Sequence, residues 1–309
     1  MRYAVVDIGT NSARLMIARV DNGAVIAEYK TLRLIRVGEG MVERRIIVPA
    51  AMERTKQALN EFHKISKSHG ALDAFYCFAT SAVRDAENRY DFTDYIRREC
   101  GVEVDIISGD REAMLGFAGC IDGFGGMFDI GGGSTEVMTG TLDEPAYQHS
   151  FQIGTVRLLQ MFPSADEADP KAFDSARAHI RSMLTNIPAV VGFTYTAIGG
   201  TATALAAIDL KLAEYDAERV HGRVLSLDAV REIECMLMSK TKEQRKRMNG
   251  LEEKKADVIV FGAMLCSEFM KAAGANSIVV SDSDNLEGYL KLTLGLVRTP
   301  AGCSAPAGT

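Results

Sequence analysis

Apolar positions recur along this chain with two periods. Compact or alternating apolar runs at 3–8, 13–20, 25–37, 74–79 and 102–107 predict strands, and three-to-four-residue spacing at 49–68, 88–100 and 110–121 predicts helices. Pro49 suits a first helical turn, with Met52, Leu59 and Phe62 as the apolar stripe behind it. The rest of the chain repeats the scheme. Strands are expected at 126–130, 134–141, 146–153, 195–198 and 277–280. Helices are expected at 155–162, 170–186, 201–210, 227–239, 255–273 and 286–296. Such alternation predicts an α/β fold.

Inside this pattern lies an echo. The chain reads Asp7-Ile8-Gly9-Thr10-Asn11-Ser12 after its first apolar run. About 120 residues later, a spacing outside the solenoid range, it reads Asp129-Ile130-Gly131-Gly132-Gly133-Ser134-Thr135. Each is followed by a second strand-like run, so each predicts a hairpin whose turn carries Gly, Ser, Thr or Asn.

Length and charge narrow the picture. At 309 residues, two domains are expected: 1–121 with a returning segment 286–300, and 122–285, with 301–309 as a disordered tail rich in Gly, Pro, Ala and Ser. The net charge of −6 means an anion must be held by local donors, and it argues against sequence-blind nucleic-acid binding. No apolar stretch is long enough for a bilayer, and the N-terminus lacks a signal-peptide pattern, so a cytoplasmic protein without a membrane partner is expected. The six cysteines and five histidines show no ligand spacing; the cysteines read as reduced core thiols. The basic run 240–255, including Arg245, Lys246 and Arg247, is interrupted by glutamates and reads as a solvated face.

A Gly/Ser/Thr turn gathers backbone N–H groups into a concavity that binds phosphate oxygens. Ser12, Ser134 and Thr135 add hydroxyls and Asn11 an amide. An aspartate at the strand end repels phosphate but can hold Mg²⁺, usually through water. Each turn alone is equally well a plain hairpin; two copies with one Asp offset are harder to dismiss.

With these turns go Arg14-Leu15, Ala79-Thr80-Ser81-Ala82-Val83-Arg84 with Asn88, Ile107-Ser108-Gly109-Asp110-Arg111-Glu112-Ala113, Gly154-Thr155-Val156-Arg157 and Ile198-Gly199-Gly200-Thr201-Ala202-Thr203. In this order they resemble the exopolyphosphatase / guanosine pentaphosphate phosphohydrolase family of the actin-like, Hsp70-like, sugar-kinase-like superfamily, in its short form. The resemblance implies two RNase-H-like domains with an interdomain active-site cleft, Mg²⁺ as cofactor, and inorganic polyphosphate or a (p)ppGpp-type anion as ligand; it leaves room for a homodimer. It assigns Glu112 as general base, Asp129 and Glu136 as metal-associated carboxylates with Asp7 as the first-loop aspartate, and Arg84 as a phosphate contact. It makes Thr10, Asn11 and Ser12, and Gly131, Gly132, Gly133, Ser134 and Thr135, the two phosphate cradles. Two departures stand out: Lys255 and Leu286 occupy places where relatives often carry arginine.

From the residues alone, other readings stand beside these. Glu112 suits ordinary helix-start electrostatics, with Gly109 or Asp110 as cap. Arg84 has Asp85 and Glu87 as salt-bridge partners, Arg14 either faces a cleft or snorkels, and Thr201 reads as a helix cap. The functional expectation is an exopolyphosphatase; a guanosine pentaphosphate 5′-phosphohydrolase, a superfamily kinase and a non-catalytic (p)ppGpp or polyphosphate sensor are the alternatives.

Overall fold

The computed structural model describes residues 1–163 and 169–298; the tail expected at 301–309 lies outside the described residues. The chain begins with an antiparallel meander, β1 (Arg2–Ile8), β2 (Ser12–Asp21) and β3 (Ala24–Leu34). Then come α1 (Met41–Arg44), α2 (Pro49–Ser68), β4 (Ala74–Ala79), α3 (Ser81–Asp85), α4 (Arg89–Cys100), β5 (Asp105–Ile106) and α5 (Gly109–Cys120). A second meander follows, β6 (Gly125–Ile130), β7 (Thr135–Gly140) and β8 (Pro145–Phe151). After it run α6 (Thr155–Met161), α7 (Pro170–Met183), β9 (Tyr195–Ile198), α8 (Gly199–Asp209), α9 (Ala217–Val220), β10 (Val224–Ser226), α10 (Leu227–Met238), α11 (Lys242–Arg245), α12 (Ile259–Ala272), β11 (Ser277–Val280) and α13 (Asn285–Thr293).

Two compact units result. One comprises Met1–Gly119 together with the segment from Asn285, and the other Cys120–Asp284. Among the described residues, the first holds a sheet of order β3-β2-β1-β4-β5 and the second a sheet of order β10-β11-β9-β6-β7-β8. Read from the meander outward, the two orders are the same: three antiparallel strands, then parallel strands joined through helices, with β10 added at the second sheet's edge. This mixed α/β order, present twice, is that of RNase-H-like domains.

Helices cover both faces of the first unit's sheet. In the first unit, α2 and α4 bury Leu59, Phe62, Phe92 and Ile96 against one face. On the other face, Leu286, Tyr289 and Leu290 of α13 pack with Tyr3, Val5, Phe78 and Leu115. Gly288 is required there, since a Cβ would lie 1.8 Å from the Leu115 carbonyl oxygen. Phe128, Tyr195 and Phe269 centre the second core.

Several expected boundaries move. The strand expected at 102–107 shrinks to Asp105–Ile106, because it is an edge strand that pairs only with Phe78 and Ala79. The helix expected from 255 starts at Ile259, after a 3₁₀ turn over Glu253–Lys255. Arg245 overturns the solvated reading of its basic run. It is fully buried, donating from Nε to the Leu237 carbonyl at 2.9 Å and from Nη1 to that of Ala256 at 3.4 Å. The core-thiol reading holds for Cys77 and Cys266, but Cys235 is exposed, and Cys303 lies outside the described residues. No helix among the described residues is long and apolar enough to cross a membrane.

Candidate active site

In the first unit, three neighbouring parallel strands end at one sheet edge, and each delivers chemistry. β1 ends with Asp7; β4 is followed by Thr80, Ser81 and Arg84; β5 is followed by Ser108 and Glu112. Backbone bonds continue the edge past the strands, from Thr80 N–H to Ile8 O at 3.1 Å and from Ile107 N–H to Ala79 O at 3.0 Å. The carboxyl ends of parallel strands are where α/β folds place ligands.

The first turn closes with Gly9 N–H donating to Ser12 O at 3.0 Å. The carbonyl oxygens of Thr10 and Asn11 accept from the segment after β3: Gly38 N–H to Thr10 at 2.9 Å, and Ile35 and Arg36 N–H to Asn11 at 3.1 and 2.9 Å. The loop is therefore held by its carbonyls and by the Gly9 amide, which leaves the Thr10 and Asn11 amides to serve a ligand. Asp7 faces Arg14 across the β1–β2 register, and the guanidinium grips the carboxylate at 2.5 Å from Nη2 and 3.1 Å from Nε. Arg14 thus neutralises the first-loop aspartate.

Ser108 is the cap of α5, its hydroxyl accepting from Arg111 N–H at 3.2 Å, where Gly109 or Asp110 had been expected. That leaves Glu112 for another role. Glu112 is buried, and its carboxylate accepts from Arg84 Nη1 at 2.9 Å. Burial raises its pKa to about 7, the Arg84 charge and hydrogen bond lower it, nearby Asp7 raises it and Arg14 lowers it. Arg84 therefore pairs chiefly with Glu112; Asp85 stands off at 3.8 Å. Two buried donors, Arg84 Nη2 and Ser81 Oγ, have no hydrogen-bond partner among the described residues. Unspent donors beside a phosphate-type loop suit an anion. Ser81 was not singled out from sequence; its place directly after a strand end was the available signal.

The second unit repeats the design with one charge exchanged. Gly131 N–H donates to Ser134 O at 3.0 Å, matching Gly9 and Ser12. The carbonyls are again taken, Gly131 by Thr155 N–H at 3.0 Å and Gly132 by Val156 and Arg157 N–H at 2.8 and 3.1 Å. Arg157 Nε reaches the Gly133 carbonyl at 3.0 Å. Gly154 permits this closeness, since a Cβ there would lie 2.5 Å from the Gly132 carbonyl carbon. Thr135 donates to Ile153 O at 2.7 Å. Opposite Asp129 in the β6–β7 register stands Glu136, where the first hairpin has Arg14. Both carboxylates are buried on one face of the hairpin, and Ser150 donates to Glu136 at 2.6 Å. Gly199, at φ +79°, lies so close to Asp129 that a Cβ would fall 2.3 Å from its Oδ1. Gly199 is a second residue the sequence reading did not place with the carboxylates.

The remaining expectations resolve simply. Thr201 does not cap α8; its hydroxyl donates to Ile130 O at 2.8 Å and ties α8 to the end of β6. Lys255 donates to the Gly200 carbonyl at 3.3 Å and pairs with Glu252 at 3.0 Å. Leu286 is a core residue. Among the described residues no group of three or more His, Cys, Asp and Glu could hold a metal by itself.

Known proteins match more than nine-tenths of this chain. It is 32% identical over 311 residues to exopolyphosphatase 2 of Mycobacterium tuberculosis, covering 93% of this chain and 97% of that protein. It is 31% identical over 307 residues to the bifunctional 3-dehydroquinate synthase/phosphatase of Fusobacterium nucleatum, covering 93% of this chain but 46% of that protein, so it spans about half of that relative's length. The crystal structure of an exopolyphosphatase from Cytophaga hutchinsonii matches with a TM-score of 0.80 at 27% identity, covering 97% of this chain and 100% of that one. The family model of the Ppx/GppA phosphatases matches residues 16–294, and the chain belongs to that family.

Proposed function

We propose that the chain is an exopolyphosphatase that releases terminal orthophosphate from inorganic polyphosphate, with Glu112 as the base. The observation that carries this reading is a buried carboxylate with a pKa of about 7, held by an arginine that keeps a second, unspent donor. A base poised near neutrality has both the required deprotonated form and the drive to take a proton. Water oxygen attacks the terminal phosphorus, its proton passes to a Glu112 carboxylate oxygen, and the bridging P–O bond breaks onto the shortened chain. The proton then returns to solvent. Arg84 Nη2, Ser81 Oγ and the loop amides bind phosphate oxygens, and their positive ends oppose the charge spread over the transferring group.

Asp129 and Glu136 are paired hard oxygen donors on one hairpin face and would hold Mg²⁺ with water completing its shell. The ion would supply charge neutralisation at the phosphate oxygens when bound. Asp7, engaged by Arg14, is better suited to fixing that arginine than to holding metal. The exopolyphosphatase names of the relatives support the substrate class.

The test is a phosphate-release panel of polyphosphate, guanosine pentaphosphate, ATP and pyrophosphate, with Mg²⁺ and with chelator. Polyphosphate is expected to be the preferred substrate, and Glu112→Gln to lower kcat by roughly 10²–10⁴-fold while leaving polyphosphate binding intact. Preference for guanosine pentaphosphate would replace the substrate; undiminished turnover in Glu112→Gln would remove the base.

A further inference from the structure

We propose that Arg44, Arg45 and Arg89 form an anion track beside the first phosphate loop, which holds the distal part of a long polyphosphate chain; the inference rests on the polyphosphate reading above.

The track is continuous with the loop. The segment after β3 donates backbone bonds to Thr10 and Asn11, then makes the short turn α1, which ends in Arg44 and Arg45. It is anchored on its far side too. Asn88 clamps Ile47 from both sides, accepting from its N–H at 2.9 Å and donating to its carbonyl at 3.0 Å. Glu87 N–H donates to Arg45 O at 2.8 Å, which brings the start of α4, with Arg89, alongside Arg45.

The charges on it are available. Arg44 and Arg45 are exposed, and their side chains make no ion pair or hydrogen bond among the described residues. Glu39, the segment's nearest acid to the loop, is already taken by Arg54 at 2.8 Å. Arg89 stacks its guanidinium over the Tyr90 ring at 4.9 Å, which holds the charge in place without neutralising it. Arg44 and Arg45 thus place two exposed guanidinium groups side by side at the end of α1, which also carries the exposed Glu43.

The backbone adds an independent observation. Among the described residues, the non-glycine positions of positive φ are Asn22, Arg36, Arg45, Asn186 and Lys211. Asparagine tolerates that region; arginine gains nothing from it. Arg45, at φ +51°, sits where glycine would be easier, as the cap of a four-residue turn too short for a useful helix dipole. Guanidinium groups in a row suit repeated phosphates. The track requires that a substrate of a few phosphates fill the loop without reaching them and that a long chain extend to them.

The test uses the full chain carrying Arg44→Ala with Arg45→Gly. Wild type and variant are compared for kcat and KM on tripolyphosphate and long-chain polyphosphate across a salt series, for polyphosphate affinity by calorimetry, and for Tm. The KM for the long chain is expected to rise about tenfold with kcat unchanged, and the slope of log KM against log salt to fall by about 1.4, about 0.7 for each lost cation on a single-stranded polyanion. Tripolyphosphate kinetics stay as in wild type. Tm holds or rises, because glycine accepts the backbone that arginine strains. Equal long-chain affinity in the two proteins overturns the track, as does an equal loss on tripolyphosphate. A wild type that releases no phosphate from any polyphosphate ends the hydrolase reading, while the calorimetric comparison still decides the track. Exposed Val42, Ile46 and Tyr90 nearby suit a protein partner. Self-association lost in the variant with polyphosphate affinity unchanged would give the surface to a second copy and overturn the proposal.

Discussion

Glu112 is a carboxylate that folding makes reluctant to ionise. Burial raises its pKa to about 7 against the pull of Arg84. As the proposed base it must be deprotonated, so kcat/KM is expected to rise with pH through about 7 and level off above it; a profile flat between about pH 5 and pH 8 would contradict this. Stability runs the other way. The folded state holds this proton more tightly than the unfolded chain, so the contribution is fully present below the ordinary carboxylate value of 4.5 and is lost as pH rises through about 7. Glu112→Gln escapes that loss. The Tm of the variant, followed relative to wild type, is expected to gain progressively between about pH 4.5 and pH 7. A gap in Tm that stays constant over that range would argue that the carboxyl is not perturbed. From sequence the residue looked like ordinary helix-start charge. Motif resemblance could single it out, but burial and the Arg84 contact belong to the folded chain alone.

At the scale of elements, both hairpins were legible because their signal is local: an apolar strand, an acid, then turn residues. What holds them was not. Each loop is gripped by its carbonyls, the first from the segment after β3, the second from the start of α6. Those partners lie about 20 or more residues further along the chain, beyond any turn rule. The charge exchange needs the register too: Arg14 and Glu136 lie at the same offset from Asp7 and Asp129 in the sequence, but strand pairing shows that each faces its aspartate. Arg245 was misread for a related reason, since a charge run shows no sign of which member turns inward. The grip on the second loop is testable. Gly154→Ala puts a methyl against the Gly132 and Gly133 backbone. It is expected to cost about 1–3 kcal/mol of stability through overpacking. Displacing the loop by about 1 Å is expected to cut phosphate release by about 10²-fold with the fold intact by circular dichroism. Wild-type kinetics would show that the loop tolerates displacement.

Over the whole molecule, the chain builds most of one unit, completes the other, and returns to finish the first. The alternating pattern announced two α/β units; the return was suggested only by a helix left over after the last strand. In the structure that helix supplies Leu286, Tyr289 and Leu290 to the face of the first sheet that α2 and α4 leave open. Each such side chain is worth roughly 2 kcal/mol when buried. A fragment 120–284 is therefore expected to fold alone, with dispersed amide resonances, and a fragment 1–119 to remain unfolded or molten. A well-folded 1–119 would show that α13 is dispensable.

The contact between Gly288 and the Leu115 carbonyl carries this one step further. Leu115 is less than one helical turn beyond Glu112, so two bare backbones touching there fix the seat of that carboxylate. Synthesis delivers residue 288 long after residue 112. A nascent chain can thus form both hairpins while the backbone around Glu112 still lacks the helix that braces it, and that brace arrives only when α13 has been made.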